Sequence, residues 1–208
     1  MKLNTGINPT LAILFVGMTL STALSAQTTL EQLRSKFENE QVFISEFQHS
    51  YLDSYTQEST NSTGEFWINF DNYKLTGEQQ TIVVDGKLSR VYDANRNRVI
   101  ISDYEPDDDD FGVLSRMLSG EDDSYTSTES ELDNGHTLIS LVTDDDFATY
   151  LSVEIEVDEN LQPLKITAYD IADNIIITTF ENGVFMQADS SFFEFTHPED
   201  AEIVDMRY

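Results

Sequence analysis

Apolar and polar positions alternate along most of the chain, and the period of two predicts a β-rich protein. The clearest block runs from Gly64 to Tyr92. It reads as four short strands, Gly64-Glu65-Phe66-Trp67-Ile68-Asn69, Tyr73-Lys74-Leu75, Thr81-Ile82-Val83-Val84 and Val91-Tyr92. Successive side chains of a strand point to opposite faces, so Phe66 and Ile68 share one face and Glu65 and Trp67 the other. Asp85-Gly86 between apolar runs predicts a type I′ hairpin turn, with positive φ at both central positions.

The rest of the chain follows the same pattern. Val42 to Leu52 alternates, with Phe43, Phe47, His49 and Tyr51 on one face. Tyr55 to Thr63 is polar and reads as a loop. Val99–Ser102, Leu138–Val142, Leu151–Val157, Leu164–Tyr169, Ile175–Phe180 and Phe192–Phe195 are further strands, with turn signals at Asp133-Asn134-Gly135, Asp173-Asn174 and Glu181-Asn182-Gly183. Two stretches have helical spacing instead. Leu30, Leu33 and Phe37 follow two capping-box signals, Thr28…Glu31 and Thr29…Gln32. Phe111, Leu114, Met117 and Leu118 follow acidic N-terminal residues and stop at Gly120. The expected architecture is mainly β (α+β), one curled antiparallel sheet of about eleven strands forming an open half-barrel, with short helices as a lid.

Residues 1–26 read as a signal peptide. Leu11 to Leu20 is an apolar run of that length, followed by small residues around Ala23-Leu24-Ser25. Residues 27–208 then form a single domain, without a repeat or linker. The 208-residue chain has 11 basic and 39 acidic residues and a formal charge of −28. The leader's only charge is Lys2, so the remainder carries one base fewer and a charge of −29. That balance excludes nucleic acid as a partner and disfavours unaided adsorption to anionic membranes. The acidic runs at Glu105–Asp110, Glu121–Asp123 and Asp144–Asp146 lack EF-hand spacing and read as solvated loops rather than a metal site. There is no cysteine. No catalytic motif is recognisable among the three histidines and many acids, and neither an enzyme nor a cofactor is expected.

Several strands are apolar on both faces, which suits either a plugged core or a lidded apolar cavity. The order of motifs adds to this. The N-terminal helix, Phe43…Phe47-Gln48, Gly64-Glu65-Phe66-Trp67-Ile68, Asn72-Tyr73-Lys74-Leu75, Val84-Asp85-Gly86-Lys87, Val91-Tyr92-Asp93, the Phe111–Leu118 helix, Leu161-Gln162-Pro163-Leu164 and Phe192-Phe193-Glu194-Phe195 together resemble the LolA family of periplasmic outer-membrane lipoprotein carriers. The resemblance implies an open barrel under a helical lid that shelters acyl chains in the periplasm. It also implies a monomer whose partners are acylated lipoproteins, an inner-membrane ABC-type lipoprotein-releasing complex and an outer-membrane receptor. The acyl-chain site would comprise Phe47, Trp67, Tyr73, Leu75 and Val91, with Phe111, Leu114, Met117 and Leu118 in the lid. One departure stands out. The family's Arg-Pro pair after the tryptophan strand is replaced by Asn69-Phe70-Asp71, which removes its latch arginine and leaves packing to hold the lid. The related receptor family LolB carries a lipidated cysteine, and its absence here favours the carrier. The runner-up is a periplasmic lipid- or protein-sensing regulator on the same fold.

Overall fold

The computed structural model describes residues 27–39, 41–69, 72–104 and 124–208. The first described element is helix α1 (Thr29–Glu38). Thr28 caps it, accepting the Glu31 N–H while the Glu31 carboxylate accepts the Thr28 N–H, so the first of the two capping boxes is the one formed. Among the described residues twelve strands follow: β1 (Gln41–Leu52), β2 (Ser59–Ile68), β3 (Tyr73–Gly77), β4 (Gln80–Val84), β5 (Leu88–Asp93), β6 (Arg98–Asp103), β7 (Thr126–Glu131), β8 (Thr137–Val142), β9 (Tyr150–Val157), β10 (Pro163–Asp170), β11 (Ile175–Gln187) and β12 (Glu202–Asp205). They make one sheet in the order β12-β6-β5-β4-β3-β2-β1-β11-β10-β9-β8-β7.

The sheet curls. Tyr73 and Val84 of β3 and β4 and Ile139 and Ile155 of β8 and β9 lie on strands far apart in the ladder, yet share one buried cluster. Twist accumulated over so many strands brings the two halves of one face toward each other. Leu30, Leu33 and Phe37 of α1 complete that cluster, and α1 touches both β1 and β8. The helix therefore lies across the concave face. The 30/33/37 spacing gives it one apolar side, buried against that face.

Four local features depart from the sequence reading. Glu181-Asn182-Gly183 is not a hairpin but a bulge within the long strand β11, with Asn182 at φ 56° and the β1–β11 register shifting between Ile44 and Glu46. The bulge inserts an extra residue, increases local twist and keeps the strand pairing beyond it. The polar Ser59–Thr63 stretch continues β2, because backbone pairing with β1 runs to Leu52↔Ser59 whatever the side chains are. The Phe192–Phe193 strand is replaced by a short 3₁₀ helix (Ser190–Phe193), nucleated by Asp189 accepting the Ser191 N–H. Finally, the Asp85-Gly86 turn is a three-residue connection in which only Gly86 has positive φ (75°), and the Asp85 carboxylate accepts the Lys87 and Leu88 N–H groups.

The sheet is also not wholly antiparallel. The C-terminal segment passes over β3, where Lys74 donates to the Glu194 carbonyl, and delivers β12 parallel to β6. This covers the convex side, where Val83 and Val99 are buried outside the main cluster.

Candidate functional site

The register places the concave face residue by residue. Ser45, Phe66, Leu75, Ile82, Val91 and Ile100 face one another across β1 to β6 in a single row. The neighbouring row runs Phe43, Ile68, Tyr73 and Val84. Across the middle of the sheet, Phe47 lies opposite Phe180, and Phe66 stacks on Phe180 with centroids 5.8 Å apart. Phe43 meets Phe180 edge-on at 5.6 Å, Phe47 meets Phe66 at 6.3 Å, and Phe66 leads on to Tyr73 and Tyr104. Each well-oriented aromatic pair contributes about 0.5–1.5 kcal/mol beyond its area burial.

Four of the expected acyl-site residues, Phe47, Tyr73, Leu75 and Val91, lie on this face. Phe47, Tyr73 and Leu75 are buried and Val91 is half-buried. Trp67 lies on the opposite, convex face, half-buried, with the Lys74 ammonium 5.3 Å from its ring centroid. The lid residues Phe111, Leu114, Met117 and Leu118 fall outside the described residues.

The two ends of the trough differ. At the end where β1 begins, α1 closes it, with Phe37 edge-on to Phe185 at 5.4 Å. The helix is held by the far edge strand: the Glu129 carboxylate accepts the Thr29 and Leu30 N–H groups at 3.0 and 2.9 Å. Burial pushes this carboxyl up, but the two N–H groups and the Thr29 hydroxyl outweigh it and hold it below the usual glutamate value.

At the other end lies an open cleft of about 390 Å³, within the size range of small-molecule sites. Phe47 and Leu75 form its apolar floor. Asn61, Ser62 and Thr63 of β2 make one wall, and the β3–β4 turn with Gln79 and Gln80 makes another. Asn95 closes the rim, which also holds the carboxylates Glu78 and Asp93. The polar lining was hidden from the pattern analysis because these residues lie in turns and at strand ends, where amides and hydroxyls are expected for local reasons.

Two further details belong to this region. The Ser45 hydroxyl, buried in the apolar row between Phe43 and Phe47, has no hydrogen-bond partner among the described residues. Around the same rim, three loops each expose a large apolar side chain: Tyr55 between β1 and β2, Ile171 between β10 and β11, and Phe147 between β8 and β9. Ser54 ties the first two loops together through bonds to Asn174 and Ala172. Among the described residues no group of histidine and acidic side chains is placed to hold a metal ion, and no helix is long and apolar enough to cross a membrane.

No protein-family model and no curated protein matches the chain. Solved structures do. An uncharacterised conserved protein from Thermus thermophilus is similar at 11% identity and a TM-score of 0.54, over 86% of this chain and 99% of that one. A LolA superfamily protein from Nitrosomonas europaea is similar at 11% identity and a TM-score of 0.42, over 81% and 99%. A putative outer membrane lipoprotein-sorting protein domain from Vibrio parahaemolyticus is similar at 11% identity and a TM-score of 0.43, over 79% and 94%. At these identities the likeness concerns fold, not activity.

Proposed function

We propose that the protein is a periplasmic chaperone that carries acylated lipoproteins from the inner to the outer membrane, covering their acyl chains with the concave face of its sheet. The observation that carries this reading is the apolar concave face, whose buried cluster runs from Val84 of β4 across to Leu141 of β8, and which opens at one end through a cleft floored by Phe47 and Leu75. The motif order along the chain supports the same reading.

The task sets the energetics. Each buried CH₂ contributes roughly 0.8 kcal/mol, so a cargo with several acyl chains does not leave a membrane unescorted. A carrier must match that burial and then give it up. The open cleft is smaller than a multiply acylated anchor requires, so uptake entails withdrawal of α1 from the concave face. The side chains that α1 covers then face the cargo. Tyr73, Leu75 and Val91 line the receiving surface; the sequence-based assignment of Phe111, Leu114, Met117 and Leu118 to the same site concerns residues outside those described. An inner-membrane ABC-type releasing complex loads the carrier and an outer-membrane receptor unloads it. No enzymatic step is involved.

The test is purification of the full chain from the periplasm followed by native mass spectrometry. Co-purified acylated lipoprotein that passes to acceptor outer-membrane vesicles supports the carrier. Stable retention of one protein partner, with no lipoprotein transferred, overturns it in favour of a sensing regulator.

A further inference from the structure

The cleft at the open end has a chemical character that the carrier reading does not use. Its floor is apolar, its walls are amides and hydroxyls, and its charged lining residues are the acids Glu78 and Asp93. Asp93 spends one oxygen on the Asn95 and Arg96 N–H groups, at 2.9 and 3.1 Å. Its other oxygen meets the Arg96 guanidinium at 3.5 Å, but Arg96 is 70% exposed, and a solvated pair of this kind screens little of the carboxylate's field from the cleft. Among the described residues no lysine or arginine lines the cleft.

Resting on the carrier reading, we propose that this cleft seats the uncharged, hydrogen-bonding head of an acylated ligand, a glycerol ester or acyl amide, and rejects anionic heads. The acyl chain enters over Phe47 and Leu75. The ester or amide carbonyl and adjoining hydroxyl or N–H groups bond to Ser62, Gln80 and Asn95, whose side chains both donate and accept. An anionic phosphate finds no cation there and faces two carboxylates. With Coulomb energies at the effective dielectric of a protein surface, two such neighbours disfavour it by about tenfold or more. The consequence is discrimination: bulk anionic phospholipid, an abundant competitor at a membrane surface, is kept out of a site that acylated peptide can occupy.

The experiment is calorimetric titration of the full chain with ligands that share a lauroyl chain and differ in the head: monolauroylglycerol, a lauroylated peptide amide, lauroyl-lysophosphatidylglycerol and laurate. Binding of the two neutral ligands at least about tenfold tighter than the two anions is the expected result. The double variant E78Q/D93N should narrow the gap by strengthening the anionic arm, and Ser62→Trp, which fills the cleft from an exposed strand, should abolish neutral binding. Monolauroylglycerol and the lauroylated peptide separate free glycerolipid from acylated protein as the source of the head. Equal affinity for all four heads, an unchanged gap in the double variant or unchanged binding in Ser62→Trp overturns the proposal and leaves the carrier reading standing. Failure of every lauroyl ligand to bind overturns the carrier reading itself.

Discussion

Glu129, on the edge strand β7, accepts the backbone N–H of Leu30 at 2.9 Å across 99 positions of sequence. One carboxylate thereby joins the first turn of α1 to the far edge of an open sheet. A helix N-terminus carries unpaired N–H groups and partial positive charge, and a carboxylate placed there satisfies both.

The same bond makes the joint sensitive to acid. The folded state holds the Glu129 carboxyl below its ordinary value of 4.5. Its contribution is therefore complete above about that pH and is lost as pH falls through the lowered folded value. Glu129→Gln keeps an acceptor but not the charge. The variant should be less stable than the parent by roughly 1 kcal/mol at neutral pH, and the difference should vanish in acid below the folded value. Urea melts of both proteins across that range decide it, and a gap that persists unchanged at low pH sinks the account.

Ser45 carries a different prediction. Its hydroxyl sits in the apolar row beside Phe66 and has no partner among the described residues. An unsatisfied buried polar group costs about 1–3 kcal/mol. Ser45→Ala should therefore raise the urea midpoint at an unchanged m-value, which is uncommon for a core substitution. A loss of stability would mean that the hydroxyl is bonded in solution.

Two glycines are held by close approach rather than by backbone conformation. A Cβ at Gly183 would lie 2.7 Å from the Phe43 ring, and one at Gly64 would strike the Thr76 carbonyl oxygen. The ring can tilt, whereas the carbonyl belongs to the β2–β3 ladder and cannot move without breaking pairs. Gly183→Ala should cost about 1–3 kcal/mol by overpacking, and Gly64→Ala should cost more. The Cβ of an alanine at position 135 would meet nothing, so Gly135→Ala should cost only about 1 kcal/mol, from the positive φ of 83° alone. The order Gly64, Gly183, Gly135 in measured destabilisation is the check.

These positions also mark how far the pattern reached. The faces of β1, β2, β9 and β10 follow directly from alternation, and α1 follows from its apolar spacing and cap, because burial on one side imposes a period on the side chains. The bulge at Asn182 escaped because the same Asn-Gly pair serves a turn and a bulge, and only long-range pairing with β1 chooses between them. Parallel addition of β12 escaped for a similar reason, since a four-residue strand at the end of a crossing segment has no local signature. Phe47 and Leu75 could be placed at an apolar site from sequence, while Trp67 shows the limit: its parity with Glu65 already set it opposite Phe66, and only the family resemblance drew it toward the cavity. The polar lining of the cleft was invisible because Ser62, Gln79 and Asn95 come together only through the sheet order.

The surplus of acid should be felt in the stability of the whole domain. At a formal charge of −28 the folded chain repels itself, and several arginines are already engaged, Arg90 with Asp85, Arg98 with Glu202 and Arg207 with Asp205. Raising ionic strength shortens the screening length from about 10 Å at 0.1 M to about 3 Å at 1 M. The long-range repulsion is screened more than the short pairs are, so the urea midpoint should rise with sodium chloride. A midpoint that falls with salt would show that the paired arginines outweigh the net charge.

The exposed rim gives the last prediction. Tyr55 and Phe147 are 94% and 97% exposed at loop tips, and Ile171 is 65% exposed between them in the order of the loops. Such residues bury almost nothing, so replacing all three by serine should leave stability within about 0.5 kcal/mol per site. On the carrier reading proposed above, their position around the mouth sets them against the surface the protein meets when cargo enters or leaves. Tyrosine and phenylalanine bring large contact area at low entropic cost, which is why aromatics anchor interfaces. The triple variant should therefore fold and bind lauroyl ligands as the parent does, yet pass acylated lipoprotein to acceptor vesicles several-fold more slowly. Transfer at the parental rate would separate the rim from delivery and move the docking surface elsewhere on the sheet.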